Sequence, residues 1–136
     1  MKIAYTFLMA IPLIAIATVA RADDLTEKSN CGESGGTMIE INACVSNQFK
    51  IADGELNRLY KEKMTSLETK ESKDRLRDSQ RAWVTFRDKA CSYEADQFSD
   101  GSIWPSMHFG CLERQTQKRI DDLKGYLACD SNDCPN

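Results

Sequence analysis

The chain has 136 residues with 18 basic and 21 acidic side chains, a formal net charge of −3 and 41% hydrophobic content. That is one modest domain, and its mild acidity argues against nucleic acid or anionic lipid as a partner while suiting a basic one. No Gly-rich phosphate loop is present, His108 is the only histidine and no two cysteines are spaced CxxC. No cofactor and no metal site are therefore expected.

The chain opens with Lys2, then an apolar run from Ile3 to Ala20 broken only by Tyr5, Thr6 and Thr18. Ala20-Arg21-Ala22 supplies the small-x-small pattern that signal peptidase cuts. Residues 1–22 are expected to be a signal peptide, and residues 23–136 a single helical domain. Pro12 and the small-residue exit argue against an uncleaved anchor. Asp23 and Asp24 stand where a lipoprotein would carry its cysteine, so a soluble periplasmic or secreted protein is expected. Cleavage would leave 16 basic and 21 acidic residues.

All six cysteines (Cys31, Cys44, Cys91, Cys111, Cys129, Cys134) follow the expected cut. In an oxidising compartment an even number reads as three disulfides. Fifteen pairings are possible. Spacing favours local closure, as Cys31–Cys44, Cys91–Cys111 and Cys129–Cys134.

Asp23 to Gly36 is polar and rich in Gly and Ser, an irregular arm. Thr37-Met-Ile-Glu40 fits a capping box. Val45, Phe49, Ala52, Leu56, Leu59 and Leu67 then fall at helical spacing, widened by Tyr60 and Met64. A break is expected over 66–72. A second helix, roughly 70–98, would bury Leu76, Trp83, Phe86, Ala90 and Tyr93. Asp100-Gly101 signals a turn, and Pro105 suits a helix's first turn. A third helix to Leu127 would bury Leu112, Thr116, Ile120, Leu123 and Leu127. With no period-two alternation, the fold class is all-α: a small antiparallel three- to four-helix bundle stapled by disulfides.

Four motifs stand in register: Ala52-Asp53-x-x-Leu56-Asn57-x-x-Tyr60; Gln80-Arg81-Ala82-Trp83 with Phe86-Arg87-Asp88 and Cys91; Gly101-Ser102; and Cys111-Leu112 with Thr116, Arg119 and Leu123. Cys31 and Cys44 flank Thr37 ahead of them. In this order they resemble the LprI-type lysozyme inhibitor family, from about Asn30 to Leu127. The resemblance implies a small, helical, disulfide-bonded, exported bacterial protein that binds a protein partner. The family's namesake is a lipoprotein inhibiting c-type lysozyme. This chain departs from it in lacking a lipidation cysteine and in a short tail carrying Cys134.

Read from the residues alone, His108 has no serine in a recognisable nucleophile elbow and no reduced cysteine to activate. No two carboxylates are singled out for glycan hydrolysis. The expectation is a protein that is not an enzyme. Asp53, Asn57 and Tyr60 share one helix side and are expected to lock helices together, with Asn57 reaching a backbone group. Trp83 and Phe86 are expected in the core, with Arg87 or Asp88 paired to another helix through Arg119 or Asp53. Gln97 to Gly110 reads as a loop closed by Cys91–Cys111, either a preorganised binding surface or an inward cap. Its Ser102, Trp104, Met107, His108 and Phe109 are the candidate partner-binding residues. The function expected from the resemblance is occlusion of a lysozyme cleft. The alternative is a periplasmic interaction or immunity module for another envelope partner.

Overall fold

A computed structural model describes residues 30–32, 35–129 and 135. The expected signal peptide and Cys134 lie outside the described residues. Helix α1 spans Met38–Ser66, α2 Lys70–Ala95 and α3 Trp104–Ala128, with a single 3-10 turn over Asp96–Phe98. No strand occurs among the described residues.

The first two helices start where a side chain satisfies their orphan N–H groups. Thr37 N donates to Glu40 Oε2 at 2.7 Å, and Glu40 N donates back to Thr37 Oγ1 at 3.4 Å, completing the expected capping box. The C-cap of α1, Leu67, turns extended, and its N–H donates to the Lys63 carbonyl at 3.3 Å. Two residues later Thr69 caps α2 by accepting from Ser72 N at 3.1 Å. The break between α1 and α2 therefore spans residues 67–69, shorter than expected. Pro105 sits in the first turn of α3, where its missing N–H costs nothing.

Cross-helix pairs set the directions. Phe49 stacks on Phe109 with ring centroids 6.0 Å apart, and Lys63 Nζ reaches the Tyr126 carbonyl at 3.2 Å. Early α1 thus meets early α3, and late α1 meets late α3, so these helices run parallel. The Cys91–Cys111 disulfide ties the end of α2 to the start of α3, so α2 is the antiparallel return. Helix α3 is the shared partner of α1 and α2, and its interface with α1 is the larger.

Two apolar clusters result. Ala52, Leu56, Leu59, Ile120 and Leu123 form the main core, with Tyr60, Leu76, Trp83, Tyr126 and Leu127 against it. Fully burying a leucine such as Leu56 or Leu123 contributes about 1.5–3 kcal/mol. Cys91, Cys111 and Leu112 form the second cluster with Phe49 and Phe109. The pairs Cys31–Cys44 and Cys91–Cys111 are formed as spacing suggested. Cys129 is oxidised as well, and its expected partner Cys134 lies outside the described residues.

Two aromatics of α2 expected in the core lie outside it. Phe86 is 59% exposed and Tyr93 85% exposed. The buried positions of α2 are Ser72, Gln80, Arg87, Cys91 and Ala95. Successive helical residues lie about 100° apart, so burying Arg87 swings Phe86 into solvent. Trp83 stays half-buried, on the edge of the buried stripe.

Candidate functional site

The motif residues build an interhelical frame. Arg87 is buried and donates through Nη1 to Asp53 Oδ1 of α1 at 3.0 Å and to Thr116 Oγ1 of α3 at 3.2 Å. Its Nε donates to Asp88 Oδ1 at 2.9 Å. The guanidinium carbon lies 5.3 Å from the centroid of the Phe49 ring and 5.1 Å from that of Trp83, so both rings supply cation–π stabilisation. Asn57 donates to Asp53 Oδ2 at 3.1 Å. It steadies the carboxylate that Arg87 uses and does not reach a backbone group as expected. Leu56 is core and Tyr60 packs half-buried against it.

A second buried arginine ties α3 to α2. Arg119 donates to Gln80 Oε1 at 3.1 Å, to Ser79 Oγ at 3.2 Å and to Asp122 Oδ2 at 3.4 Å. It does not meet Arg87 or Asp88. Arg81 is exposed; its carbonyl accepts from Thr85 Oγ1 at 3.0 Å, and its side chain takes no part in this frame.

The five candidate partner-binding residues do not form a protruding loop. Helix α3 begins at Trp104, so Trp104, Met107, His108 and Phe109 lie on its first two turns. The turn at Gly101 feeds it, with Trp104 N donating to the Gly101 carbonyl at 3.1 Å. Trp104 and His108 stack at 4.8 Å and 8°, and His108 meets Phe109 edge-on at 5.6 Å. His108 Nδ1 is buried without a hydrogen-bond partner, so this ring serves as packing. Phe109 faces Phe49 in the second cluster. Ser102 is exposed, and its carbonyl accepts from Asn42 Nδ2 at 2.8 Å.

Asn42 was not singled out in the sequence. Its amide also accepts from Ser106 Oγ, so one α1 side chain clamps the start of α3. A lone polar residue on an otherwise apolar helix face was the available signal.

Of the five candidates, only Met107 joins an exposed apolar surface. Met107 is 38% exposed and shares one depression with Tyr93 of α2. Tyr93, Glu94, Asp96, Gln97, Met107 and Arg114 line an open depression of about 540 Å³. Arg114 spans it from α3 to Glu94 of α2 at 2.8 Å, which leaves Asp96 as an acid in its wall without an ion pair among the described residues. The completely buried Cys91–Cys111 bridge and Ala95 lie at this end of α2 and hold the two helix ends rigidly. Exposed aromatic and thioether groups over a stiff, acid-rimmed base can bind a protein. No group of three or more His, Cys, Asp or Glu able to hold a metal ion occurs among the described residues, and no described helix is long and apolar enough to cross a membrane.

The chain is 26% identical over 131 residues to the uncharacterized protein R02472 of Rhizobium meliloti (strain 1021), covering 88% of this chain and 94% of that protein. It is 30% identical over 100 residues to the uncharacterized protein YecT of Escherichia coli (strain K12), covering 63% of this chain and 62% of YecT, less than two thirds of that relative's length. No solved structure matches. The family model for Lysozyme inhibitor LprI matches residues 29–123, so the chain belongs to the LprI lysozyme inhibitor family.

Proposed function

We propose that this protein is an exported binding protein that inhibits a c-type lysozyme by lying across its substrate cleft, without catalysis. Membership of the LprI lysozyme inhibitor family carries the reading. The surface around Tyr93 and Met107 supports where contact is made. Tyr93 is 85% exposed, and solvent-facing aromatics of this kind are enriched among interface hot spots. Glu94 and Asp96 beside it complement the basic surface typical of c-type lysozymes and would speed encounter. Occlusion needs only a rigid face, which the buried Cys91–Cys111 bridge supplies.

A lysis assay with protein beginning at Asp23 and carrying its disulfides tests this. Inhibition is expected to weaken at high salt, as screening reduces charge steering. Tyr93→Ala combined with Met107→Ala is expected to weaken inhibition by at least about tenfold with the melting temperature unchanged. Absence of inhibition at micromolar protein, across c-type lysozymes, would sink the reading. Recovery of a different envelope protein by affinity capture would then replace it with the interaction-module reading.

A further inference from the structure

The end of the bundle remote from Cys91–Cys111 holds a second opening, of about 240 Å³. Lys63 of α1, its C-cap Leu67, Ser72, Arg75, Leu76 and Ser79 of α2, Tyr126 of α3 and Pro135 beyond it line the opening. Its chemistry is unlike the rest of this acidic chain.

Lys63 is only 7% exposed. A lysine this buried is ordinarily paired with a carboxylate. Among the described residues Lys63 has none: its Nζ makes one hydrogen bond, to the Tyr126 carbonyl at 3.2 Å. That carbonyl belongs to the last turn of α3, whose partial negative charge offsets part of the ammonium charge. An ammonium carries three donors, so two remain, on a group that lines the opening.

The neighbouring polar atoms are donors too. Ser72 is 7% exposed. Its hydroxyl oxygen accepts from Thr69 Oγ1 at 2.8 Å and from Arg75 Nη2 at 3.3 Å. Both lone pairs are thereby used, and the hydroxyl proton is left to donate. Arg75 gives its other Nη to Glu71, an exposed acid on the outer side, at 2.8 Å. Leu67, Leu76 and the Tyr126 ring supply apolar walls.

We infer that this opening is a binding site for a carboxylate group attached to an apolar body, as in a small aliphatic acid or the free end of a peptide. The Lys63 ammonium receives the carboxylate, Ser72 Oγ–H donates the second hydrogen bond, and the leucines and Tyr126 cover the apolar part. A single carboxylate fits better than a phosphate dianion, because Arg75 already shares its guanidinium with Glu71 and Ser72 and leaves one unshared cation at the site. The site lies at the opposite end of the bundle from Tyr93 and Met107, so it stands independently of the lysozyme reading.

The test is an amide-resolved NMR titration of the disulfide-bonded protein beginning at Asp23, with four probes: N-acetyl-leucine, 4-methylpentanoate, N-acetyl-leucine amide and inorganic phosphate. Saturable shifts at Ser72, Arg75 and Tyr126 are expected with the two acids and not with the amide. Tighter binding of N-acetyl-leucine would identify a peptide end as the source, and tighter binding of 4-methylpentanoate a free acid. Lys63→Met is expected to weaken acid binding at least about tenfold. Arg75→Gln, at an exposed position, serves as the second variant should Lys63→Met fail to fold, and a severalfold weakening is expected there. An equal response to the amide, tighter binding of phosphate, no shift at millimolar acid, or unchanged affinity in a folded Lys63→Met variant would overturn the proposal.

Discussion

Arg87 of α2 and Asp53 of α1 are joined at 3.0 Å across a gap that the two backbones do not close. The guanidinium is buried, whereas the Asp53 side chain is 37% exposed. One arginine therefore joins α1 to α2, and it also holds α3 through Thr116.

Arg87→Ala is expected to lower stability by about 3–5 kcal/mol, because Asp53 and Thr116 lose their donor and two rings lose their cation. Arg87→Lys is expected to recover less than half of that loss. A lysine offers one point charge where the forked guanidinium serves Asp53, Asp88 and Thr116 together. Urea denaturation of the three proteins checks both statements.

Within the same motif, Trp83 and Phe86 are expected to respond oppositely. Trp83→Ala removes a ring packed on the main core and on Arg87, at a cost of roughly 3 kcal/mol. Phe86→Ala alters a 59% exposed side chain and is expected to stay within about 0.5 kcal/mol. Thermal melts distinguish them. Equal losses would mean that Phe86 is covered in solution.

The two described disulfides differ in access. Cys91 and Cys111 are both 0% exposed, whereas Cys31 and Cys44 are half-buried near the start of α1. Limited reductant is expected to open Cys31–Cys44 first, read by alkylation and mass spectrometry. Replacing Cys91 and Cys111 together by serine is expected to cost about 3 kcal/mol, in line with the 20-residue separation they close. Leaving two buried hydroxyls adds to that cost.

Acid should weaken the fold in a defined window. Glu40 is held below its ordinary value of 4.5 by the backbone and side-chain hydrogen bonds of Thr37. Glu55 is lowered by its bond with Arg58, and Asp74 by bonds with Lys70 and Arg77, from ordinary values of 4.5 and 3.8. A carboxylate lowered in the folded state stabilises fully above its unfolded value and loses that contribution as pH falls through the folded one. The urea midpoint is therefore expected to be flat above about pH 5.5 and to fall below about pH 4.5. Glu40→Gln should shallow the fall.

The helices were legible in the sequence because their signals are local. The Thr37–Glu40 capping box, the Leu56–Leu59 face and Pro105 act through neighbours three or four residues away. The orientation of α2 was not legible. Hydrophobicity placed Phe86 and Tyr93 inward, but the contact of α2 with α3 is filled by two polar pairs, Arg87 with Thr116 and Gln80 with Arg119. Such mutual satisfaction lies between residues 29 and 39 positions apart and leaves no periodic trace. The start of α3 was misread for a similar reason. Trp104, His108 and Phe109 look like loop aromatics until Phe49 and Asn42 of α1 are placed against them.

The parallel pairing of α1 and α3 has a consequence for how the chain acquires its structure. Neighbouring antiparallel helices can zip from their shared turn, but a parallel pair must wait for a return segment as long as itself. The apolar face of α1 has no lasting partner until Ile120 and Leu123 have followed it. An N-terminal fragment ending after α2 would keep Leu56 and Leu59 in water. Vectorial emergence of this chain, from a ribosome or through a pore, therefore leaves its first helix undocked almost to the last turn of its third.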